Sequence, residues 1–502
     1  MSQKADDRLE VDDYSPRETV QIPAEKSLIV ESSSLEKDDL ASTEHSPVLL
    51  PQILGGGVSA LVQVGLGMVG GYSGVTIPQL TSNNSTTNSG IVFDDHQVAL
   101  FSSLVYLTAT AGCLIGILPM VRYGQRTTML LCLPILLVGW ITLSVSTTIA
   151  MIQASRCLVG LTIGVIEGAS YQYTTEISHS SIRGMMVGAL DTMRQLGVLL
   201  VYSLGATTLS WQQISLVCGC TTVPPVFIAL IFLPNSPRWL VTQGRMKEAS
   251  KSLAFYRGTD NINVELTSIS RQVEAMSGKT NLNFGTQLKV ILQRKTMKVM
   301  VFLTFLFLAA QFTGNIVVLA YIVPILEVAN ISMNSYVAAM VVGGIRVLGT
   351  ICSLFFVDYF GRKPALFVSF LVCGTSLTGL GIFFFIKSRY DNVQGIDWMP
   401  LTCLVFFTFF TCVAHPTLNL VRGELLPTTV RSAAMPFLCS VLFGGLFLAS
   451  QTFPVMTTSL GTYGTFWMYG AMCILVLAVT ILVIPETLNE NLENITLERR
   501  KR

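Results

Sequence analysis

The sequence predicts an all-α membrane protein in which twelve transmembrane helices form two six-helix bundles, with short cytoplasmic helices between the bundles. Of its 502 residues, 51% are hydrophobic and only 12% are charged, whereas charged residues make up about 25% of an ordinary soluble domain. Apolar runs of about 20 residues, the length that crosses a bilayer, recur from Pro51 onward. Each run is predicted to be a helix, because hydrocarbon offers no partner to unsatisfied backbone groups.

One long polar connection divides the predicted spans six and six. The spans lie at 52–77, 97–119, 128–147, 151–173, 185–209, 213–233, 299–326, 333–357, 364–386, 400–421, 433–457 and 463–484. Residues 234–298 form the long connection, and their apolar residues recur at helical spacing among Arg, Lys, Glu and Ala. Two or three short amphipathic helices are therefore predicted at the cytoplasmic surface.

These boundaries define the predicted domains. They are a disordered cytoplasmic tail at 1–50, a first bundle at 51–233, linker helices at 234–298, a second bundle at 299–485 and a cytoplasmic tail at 486–502. The first tail is predicted to be disordered because acidic residues outnumber basic ones and its composition is too polar to bury a core.

The positions of Lys and Arg predict which ends of the spans face the cytoplasm. No Lys or Arg occurs between Pro51 and Val121, and the first basic residues follow the second span. Thereafter the even-numbered connections carry the positive charge, with Lys387 and Arg389 as the exception. Because basic loops stay on the cytoplasmic side, both termini are predicted to be cytoplasmic, and the plasma membrane is the expected location.

Three glycosylation sequons agree with this orientation. They begin at Asn83, Asn84 and Asn330, all on predicted external connections, so these residues are candidate glycosylation sites. A fourth sequon, at Asn494, falls on the predicted cytoplasmic tail and is expected to stay unmodified.

The sequence carries no pattern typical of an enzyme or a metalloprotein. Its eleven Cys are spaced singly, several of them inside apolar runs, so neither a metal site nor a disulfide framework is predicted. There is also no P-loop and no nucleophile–base pattern. We therefore expect no catalysis, no cofactor and no nucleic-acid partner. The expected partners are a small-molecule solute and the lipid bilayer.

The two halves of the chain repeat the same charge motifs. The repeats are VRYGQR (121–126) with VDYFGRK (357–363), and TTEISHSSIRG (174–184) with RGELLPTTVRSAA (422–434). In the second pair a Glu precedes an Arg by seven positions in both halves. Arg and carboxylate groups at neighbouring helix ends can form charge-assisted pairs that hold one face closed and break when it opens.

We call the repeated residues the gating charges. They are Arg122, Arg126, Glu176, Arg183, Asp358, Arg362, Glu424 and Arg431. The alternative is that they only anchor the cytoplasmic ends of the spans. Val121 stands in the first half where the second half has Asp358, so the first-half pairing is expected to be weaker or different.

Two matching six-span halves are typical of major facilitator transporters, whose halves rock about a central site. Five motifs in order then resemble those of the sugar porter family within that superfamily. They are SIRG (181–184), LPNSPRWL (233–240), DYFGRK (358–363), GELLP (423–427) and PETLNENLENI (485–495). The resemblance covers residues from about 51 to about 495. With Glu167, Gly168, Tyr173 and Glu176, span four looks most like the insect facilitated trehalose transporters.

The resemblance implies a solute pocket in the membrane centre. In span seven, AQFTGNIVVLAY (310–321) keeps Gln311 and places Asn315 one position earlier than the family pattern. Span five keeps an amide at Gln195. Amides suit a sugar because they both donate and accept hydrogen bonds, as hydroxyls do. The predicted pocket residues are Gln195, Gln311, Asn315, Arg346 and Asn419.

Arg346 is the unusual member, because span eight should offer a neutral amide at this position. A guanidinium in the membrane centre is costly unless it is paired or wetted. In one interpretation it pairs with a carboxylate, Glu167 or Asp191, the latter also close to Arg194. In the other it faces the cavity and contacts substrate oxygens. Both stay open at this point.

The resemblance also bears on mechanism. Proton-coupled relatives carry an Asp in span one where this chain has Ser73. The implied function is therefore facilitative transport of a trehalose- or hexose-like sugar by alternating access, as a uniporter. Glu167 leaves proton coupling as a minority hypothesis. The alternatives are a sugar sensor that transports poorly, and a carrier of a polyol or organic anion with Arg346 reading the charge.

Overall fold

The structure is a computed structural model, and it describes residues 48–81, 91–259, 261–280, 294–390, 395–425 and 431–483. It describes the backbone alone for 275–280, 294–296, 358, 422–425, 431–433 and 483. The predicted tail at 486–502, almost all of the tail at 1–50, and the sequon residues Asn83, Asn84 and Asn494 lie outside the described residues. Within the described ranges all regular secondary structure is α-helical.

Seven helices make up the first half. They are α1 (Leu50–Thr81), α2 (Asp95–Ile115), α3 (Ile117–Tyr123), α4 (Gln125–Ser144), α5 (Ile149–Ile177), α6 (Arg183–Gly205) and α7 (Trp211–Phe232). Capping boxes start α2, with Asp94 and Gln97, and α7, with Ser210 and Gln213. Such boxes satisfy amide groups that a helix start leaves without partners.

Three short helices follow in the predicted linker: α8 (Pro237–Thr242), α9 (Met246–Arg257) and α10 (Asn263–Thr280). They attach to first-half helices through buried polar contacts. The hydroxyl of Tyr256 on α9 lies 2.5 Å from that of Tyr173 on α5. Arg257 pairs with Glu265 at 2.6 Å and donates to the carbonyl of Ile177 at 2.9 Å.

The second half repeats the first with two breaks. Its helices are α11 (Arg294–Gln311), α12 (Asn315–Ala320), α13 (Ile322–Ala329), α14 (Ser335–Phe360), α15 (Arg362–Arg389), α16 (Met399–Leu425) and α17 (Arg431–Val483). The seventh predicted span is divided into α11, α12 and α13. The long α17 bends at Gly461, whose φ of 72° lies in the left-handed region that glycine tolerates best.

The twelve predicted spans are all present among the described residues. Eleven helical stretches there are long and apolar enough to cross a membrane. The last of them, 49 residues long, is the bent α17, which contributes two spans. The all-α membrane fold predicted from the apolar runs is confirmed.

In contrast to a soluble protein, this fold exposes many large apolar side chains and buries polar groups of its spans. Large apolar side chains such as Leu118, Phe232 and Leu482 are among the most exposed. Gln63, Arg156 and other polar groups inside the apolar runs are instead nearly inaccessible. The apolar surface suits contact with lipid, and the polar groups of the spans are turned toward other helices.

Helices α1 and α6 approach each other backbone to backbone. A Cβ built on Gly67 would lie 1.9 Å from the carbonyl oxygen of Arg194. A Cβ on Gly197 would lie 2.0 Å from the carbonyl oxygen of Val64. Small residues at such crossings let helices pack closely in membranes. This crossing fixes the part of α6 that carries Arg194 and its neighbour Gln195.

We predict that Gly67→Val forces α1 and α6 apart, because the new side chain has no room. Overpacking costs about 1–3 kcal/mol, so the melting temperature of the purified protein in detergent should fall by several degrees. Gly57→Val on the same helix is the matched control, since nothing lies within 4 Å of a Cβ there. Equal melting temperatures for the two variants would contradict the close crossing.

Candidate functional site

The two ends of the bundle can be told apart by the direction of helix α1. The Leu50 end is the end of the bundle at which α1 begins, and the Thr81 end is the end at which α1 finishes. Consecutive spans alternate in direction between these two ends.

Three of the predicted pocket residues meet at one buried point. Arg346 on α14 is only 4% exposed. Its Nε donates a hydrogen bond to Oε1 of Gln195 on α6 at 2.8 Å. Its two terminal nitrogens both lie 3.4 Å from Oδ1 of Asn315 on α12. We call these three residues the central cluster, and it joins one helix of the first half to two of the second.

The break in the seventh span places Asn315 in this cluster. Helix α11 ends at Gln311, and α12 begins at Asn315 after Gly314, whose φ is 89°. That conformation is strained for residues other than glycine. The break therefore directs the first side chain of α12 toward α14. The sequence showed only that the Asn was shifted by one position.

The other two predicted pocket residues lie apart from the cluster. Gln311 is 3% exposed, and its amide nitrogen donates to the carbonyl of Phe307 in its own helix at 3.1 Å. Asn419 on α16 is half-buried, and its side chain forms no hydrogen bond with another described residue. Contact of either residue with a solute stays a prediction.

A second polar network lies in the first half. Arg194 on α6 forms an ion pair with Glu167 on α5 at 2.5 Å. It also donates to Oε1 of Gln63 at 3.1 Å and to the hydroxyl of Tyr171 at 3.0 Å. The Tyr171 hydroxyl in turn donates to Asp191 at 2.5 Å. We call these five residues the charge network.

This arrangement corrects one interpretation of Arg346. Neither Glu167 nor Asp191 is its partner, because Arg194 holds the first and Tyr171 the second. Within the described residues Arg346 bonds to two neutral amides and to no carboxylate. The reason is geometric. Arg194 sits three residues after Asp191 on α6 and reaches α5, whereas Arg346 approaches α6 from the second half, beside Gln195.

A third interior arginine was missed from the sequence. Arg156 on α5 is 1% exposed and donates to Oγ of Ser73 at 2.7 Å and to the carbonyl of Phe101 at 3.2 Å. Its guanidinium carbon also lies 4.7 Å from the centre of the Phe101 ring, within the range of a cation–π contact. The signal was a lone Arg inside the apolar run of span four.

At the Leu50 end, the first-half gating charges bind neutral groups. The carboxylate of Glu176 accepts hydrogen bonds from Gln125 at 3.1 Å, from Gln172 at 2.9 Å and from the hydroxyl of Ser236. Two helices of the first half and the start of α8 are thereby joined at one carboxylate. Within the described residues the hydrogen-bond partners of Glu176 are thus two amides and a hydroxyl rather than an arginine.

The first-half arginines cap helix ends instead. Arg126 donates to the carbonyls of Leu230 and Ile231 at the end of α7, at 2.8 and 2.7 Å. Arg183 donates to the carbonyl of Ser178 at 3.3 Å. Such bonds satisfy carbonyls that have no partner within the helix. The charge pairs predicted for this half are therefore not formed with these arginines.

The structure describes the remaining gating charges only in part. Arg122 lies over the ring of its neighbour Tyr123, with 5.5 Å between its guanidinium carbon and the ring centre. Arg362 is the first residue of α15. Three further side chains lie outside the described residues, namely those of Asp358, Glu424 and Arg431. A gating role for the whole set stays a prediction.

At the Thr81 end, neutral hydrogen bonds connect the two halves. The hydroxyl of Tyr321, between α12 and α13, lies 2.5 Å from that of Ser102 on α2. Ser450 on α17 donates to Ser102 at 3.0 Å. Tyr202 on α6 donates to the carbonyl of Leu319 on α12 at 2.8 Å. The halves are thus joined on this side of the central cluster, and of these residues only Leu319 and Tyr321 lie in a stretch that the sequence analysis singled out.

Family comparison gives a match over most of the chain. Residues 64–498 match the family model described as "Sugar (and other) transporter". The chain is 30% identical over 439 residues to the facilitated trehalose transporter Tret1 of Apis mellifera ligustica, covering 86% of this chain and 85% of that protein. It is 27% identical over 460 residues to Tret1 of Bombyx mori, covering 91% of this chain and 88% of that protein.

Solved structures share the fold. The xylose transporter XylE from E. coli, in a partially occluded inward open conformation, superposes with a TM-score of 0.72 at 18% identity and covers 88% of this chain and 99% of that chain. A D-xylose–proton symporter gives a TM-score of 0.66 at 18% identity, covering 88% of this chain and all of that one. At this identity the likeness concerns the fold alone.

We predict that the ion pair of Glu167 and Arg194 stabilises the first half. Removing one partner strands the other charge, which costs about 3 kcal/mol or more in a fully buried pair. Partial exposure, 29% for Arg194 and 15% for Glu167, lowers that cost. The melting temperature should fall in Glu167→Gln and in Arg194→Gln, and fall less than additively in the double variant. Strictly additive losses would show that the two side chains are not coupled.

Proposed function

The chain belongs to the sugar transporter family, and on this premise we propose that it is a facilitative carrier that moves a sugar-like solute by alternating access. In such a cycle two halves rock about a shared site and open it to one side at a time. The observation that carries the proposal is the central cluster, in which side chains from both halves meet at one buried point. Relative motion of the halves would change that site directly.

The solute class rests on the relatives and on the groups in the pocket. The curated relatives are named trehalose transporters, so trehalose and hexose-like sugars are the first candidates. Gln195, Gln311 and Asn315 offer amide groups in the interior, where a sugar stripped of water needs polar partners. Gln311 and Asn315 flank the break in the seventh span, so a movement of α12 would shift Asn315 relative to Gln311.

The state of Ser73 supports uniport. Its hydroxyl accepts a hydrogen bond from Arg156, at the position where proton-coupled relatives carry an Asp. A hydroxyl does not change its charge in the physiological range, so this pair cannot bind and release a proton during the cycle. The carboxylate of Glu167, the other candidate for coupling, is held by Arg194.

The two ends are assigned by charge. Basic residues follow the spans that finish at the Leu50 end, so this end is cytoplasmic and the Thr81 end external. Asn330, between α13 and α14, lies on the external side, is exposed and accordingly remains a glycosylation candidate. The plasma membrane is the proposed location. The neutral contacts among Ser102, Tyr321 and Ser450 would then form the external gate.

A second candidate function is favoured by one observation. The oxygens of both Gln195 and Asn315 already accept hydrogen bonds from Arg346. A neutral sugar that donates to these oxygens would have to share them with Arg346 or displace its bonds. A protein that binds solute without moving it, as a sensor would, is therefore the alternative to transport.

We predict that oocytes expressing the protein take up at least one member of a panel of radiolabelled sugars and sugar derivatives. Gln195→Ala should reduce that uptake about tenfold, because a solute hydrogen bond in a buried site contributes about 1–1.5 kcal/mol. Gln272→Ala on α10 is the matched control, since this amide is exposed and belongs to a linker helix outside the predicted spans. Uptake no greater than in uninjected oocytes, despite surface expression, would contradict transport and favour the sensor.

We also predict that uptake is insensitive to an imposed pH gradient, because Ser73 cannot carry a proton. The measurement is solute-dependent current and tracer uptake at two external pH values under voltage clamp. Ser73→Asp supplies the comparison, as it places a titratable carboxylate beside Arg156. A proton-driven current in the unmodified protein that disappears in Glu167→Gln would overturn the uniporter proposal.

A further inference from the structure

The central cluster has an unusual inventory of hydrogen-bonding groups. A guanidinium has five N–H donors and no acceptor. The amides of Gln195 and Asn315 must therefore turn their oxygens toward Arg346, as the distances of 2.8 Å and 3.4 Å show. Their NH2 groups must then point away from it. This orientation follows from the chemistry of arginine, which can donate to an amide oxygen and cannot accept from an amide nitrogen.

Most of the hydrogen-bonding groups left over in the cluster are donors. Three of the five N–H groups of Arg346 face the two amide oxygens, so two are left. Neither Nε2 of Gln195 nor Nδ2 of Asn315 donates to another residue that the structure describes. Any solute that reaches this cluster without breaking it thus meets donors from three helices, and the one acceptor position left is the second lone pair of Gln195 Oε1.

The positive charge of the cluster forms no ion pair with a carboxylate that the structure describes. Arg346 is 4% exposed, and within the described chain its hydrogen bonds go to neutral groups only. The nearest carboxylate along α6 is Asp191, one helical turn from Gln195, and its Oδ1 accepts from Tyr171. Glu167 is neutralised by Arg194. A buried guanidinium with no paired anion is costly, and an anionic ligand would remove that cost.

A surplus of donors over acceptors favours a carboxylate over a hydroxyl. A sugar hydroxyl carries a proton that must itself be donated, and a buried unpaired donor loses about 1–3 kcal/mol. A carboxylate has acceptor sites only, and guanidinium binds it with two parallel hydrogen bonds. Resting on the proposed transport function, we propose that the preferred solute is a sugar acid, such as a uronate, whose carboxylate binds Arg346 and the amide nitrogens of Gln195 and Asn315.

Arg346 is then the residue that decides between charged and neutral sugars. In Arg346→Gln the positive charge is lost, and the amide oxygens of Gln195 and Asn315 are released to accept from hydroxyls. Hydrogen bonds to charged groups contribute about 1.5–3 kcal/mol, which corresponds to at least a tenfold change in affinity. The variant should lose at least tenfold in apparent affinity for the acid and keep or gain affinity for the neutral sugar.

Uptake of radiolabelled glucuronate and glucose, compared in oocytes that express the protein at equal surface level, tests this assignment. The unmodified protein should prefer glucuronate at least tenfold in apparent affinity, and Arg346→Gln should abolish that preference. Arg389→Gln at the end of α15 is the matched control, because it also removes one positive charge from the second half and should leave the preference unchanged. Uptake of glucose or trehalose that excess glucuronate does not inhibit would overturn the proposal and leave the transport function standing.

A binding measurement on the unmodified protein tests the proposal even if Arg346→Gln does not fold. Sodium glucuronate should raise the melting temperature of the purified protein more than glucose or sodium chloride at equal concentration. Stabilisation by glucose alone would overturn the sugar-acid proposal. Stabilisation by glucuronate without uptake of any solute would support the assigned ligand and contradict transport, so the two failures are distinguishable.

Discussion

A guanidinium in a membrane interior must find acceptors, and much of the arrangement of this protein follows from that constraint. Hydrocarbon supplies none, and each unmet donor of a buried arginine is costly. The Arg346 side chain therefore needs acceptors from neighbouring helices. It takes them from α6 in the first half and from α12 in the second. The bonds that satisfy one side chain thereby tie the two halves together at their centre.

Three interior arginines meet this constraint in three ways. Arg194 uses a carboxylate, Arg156 uses a hydroxyl, a carbonyl and an aromatic ring, and Arg346 uses two amides. Only the first solution neutralises the charge. The other two leave the charge in place, and each also keeps N–H groups without a partner among the described residues, such as Nη1 of Arg156, so the interior around them favours anions. This difference in partners, rather than the number of arginines, distinguishes the centre of the site from its flank.

The two ends of the bundle are held by different chemistry. At the Thr81 end, hydroxyl and carbonyl groups of both halves bond to one another. Each such neutral bond contributes only about 1 kcal/mol net, so a few of them can be broken and remade in a transport cycle. At the Leu50 end, Glu176 joins elements within the first half through amide and hydroxyl donors. That carboxylate is thus committed to the inside of one half.

The amino-acid order alone was enough to predict the fold class, the number of spans and the repeat of the two halves. These follow from the lengths of apolar runs and the spacing of charges, because a bilayer imposes the same length and backbone pairing on every span. Gln195, Asn315 and Arg346 could also be assigned to one candidate pocket, because the family resemblance implies a pocket at these positions and polar side chains inside apolar runs must be turned inward. Gln311 and Asn419 came from the same reasoning and lie apart from the cluster.

The pairing of the interior charges, by contrast, depended on how the helices pack. Arg194 and Arg346 were both possible partners for the carboxylates of Glu167 and Asp191, and nothing in the sequence distinguished the possible pairs. The choice depends on where helices cross, which is set by contacts such as that of Gly67 with the backbone of α6 and by the break before Asn315. Hydrogen bonds act over about 3 Å, whereas a pattern in the sequence fixes a side chain only to one face of a helix. Which group each interior arginine pairs with is therefore decided by how the helices pack.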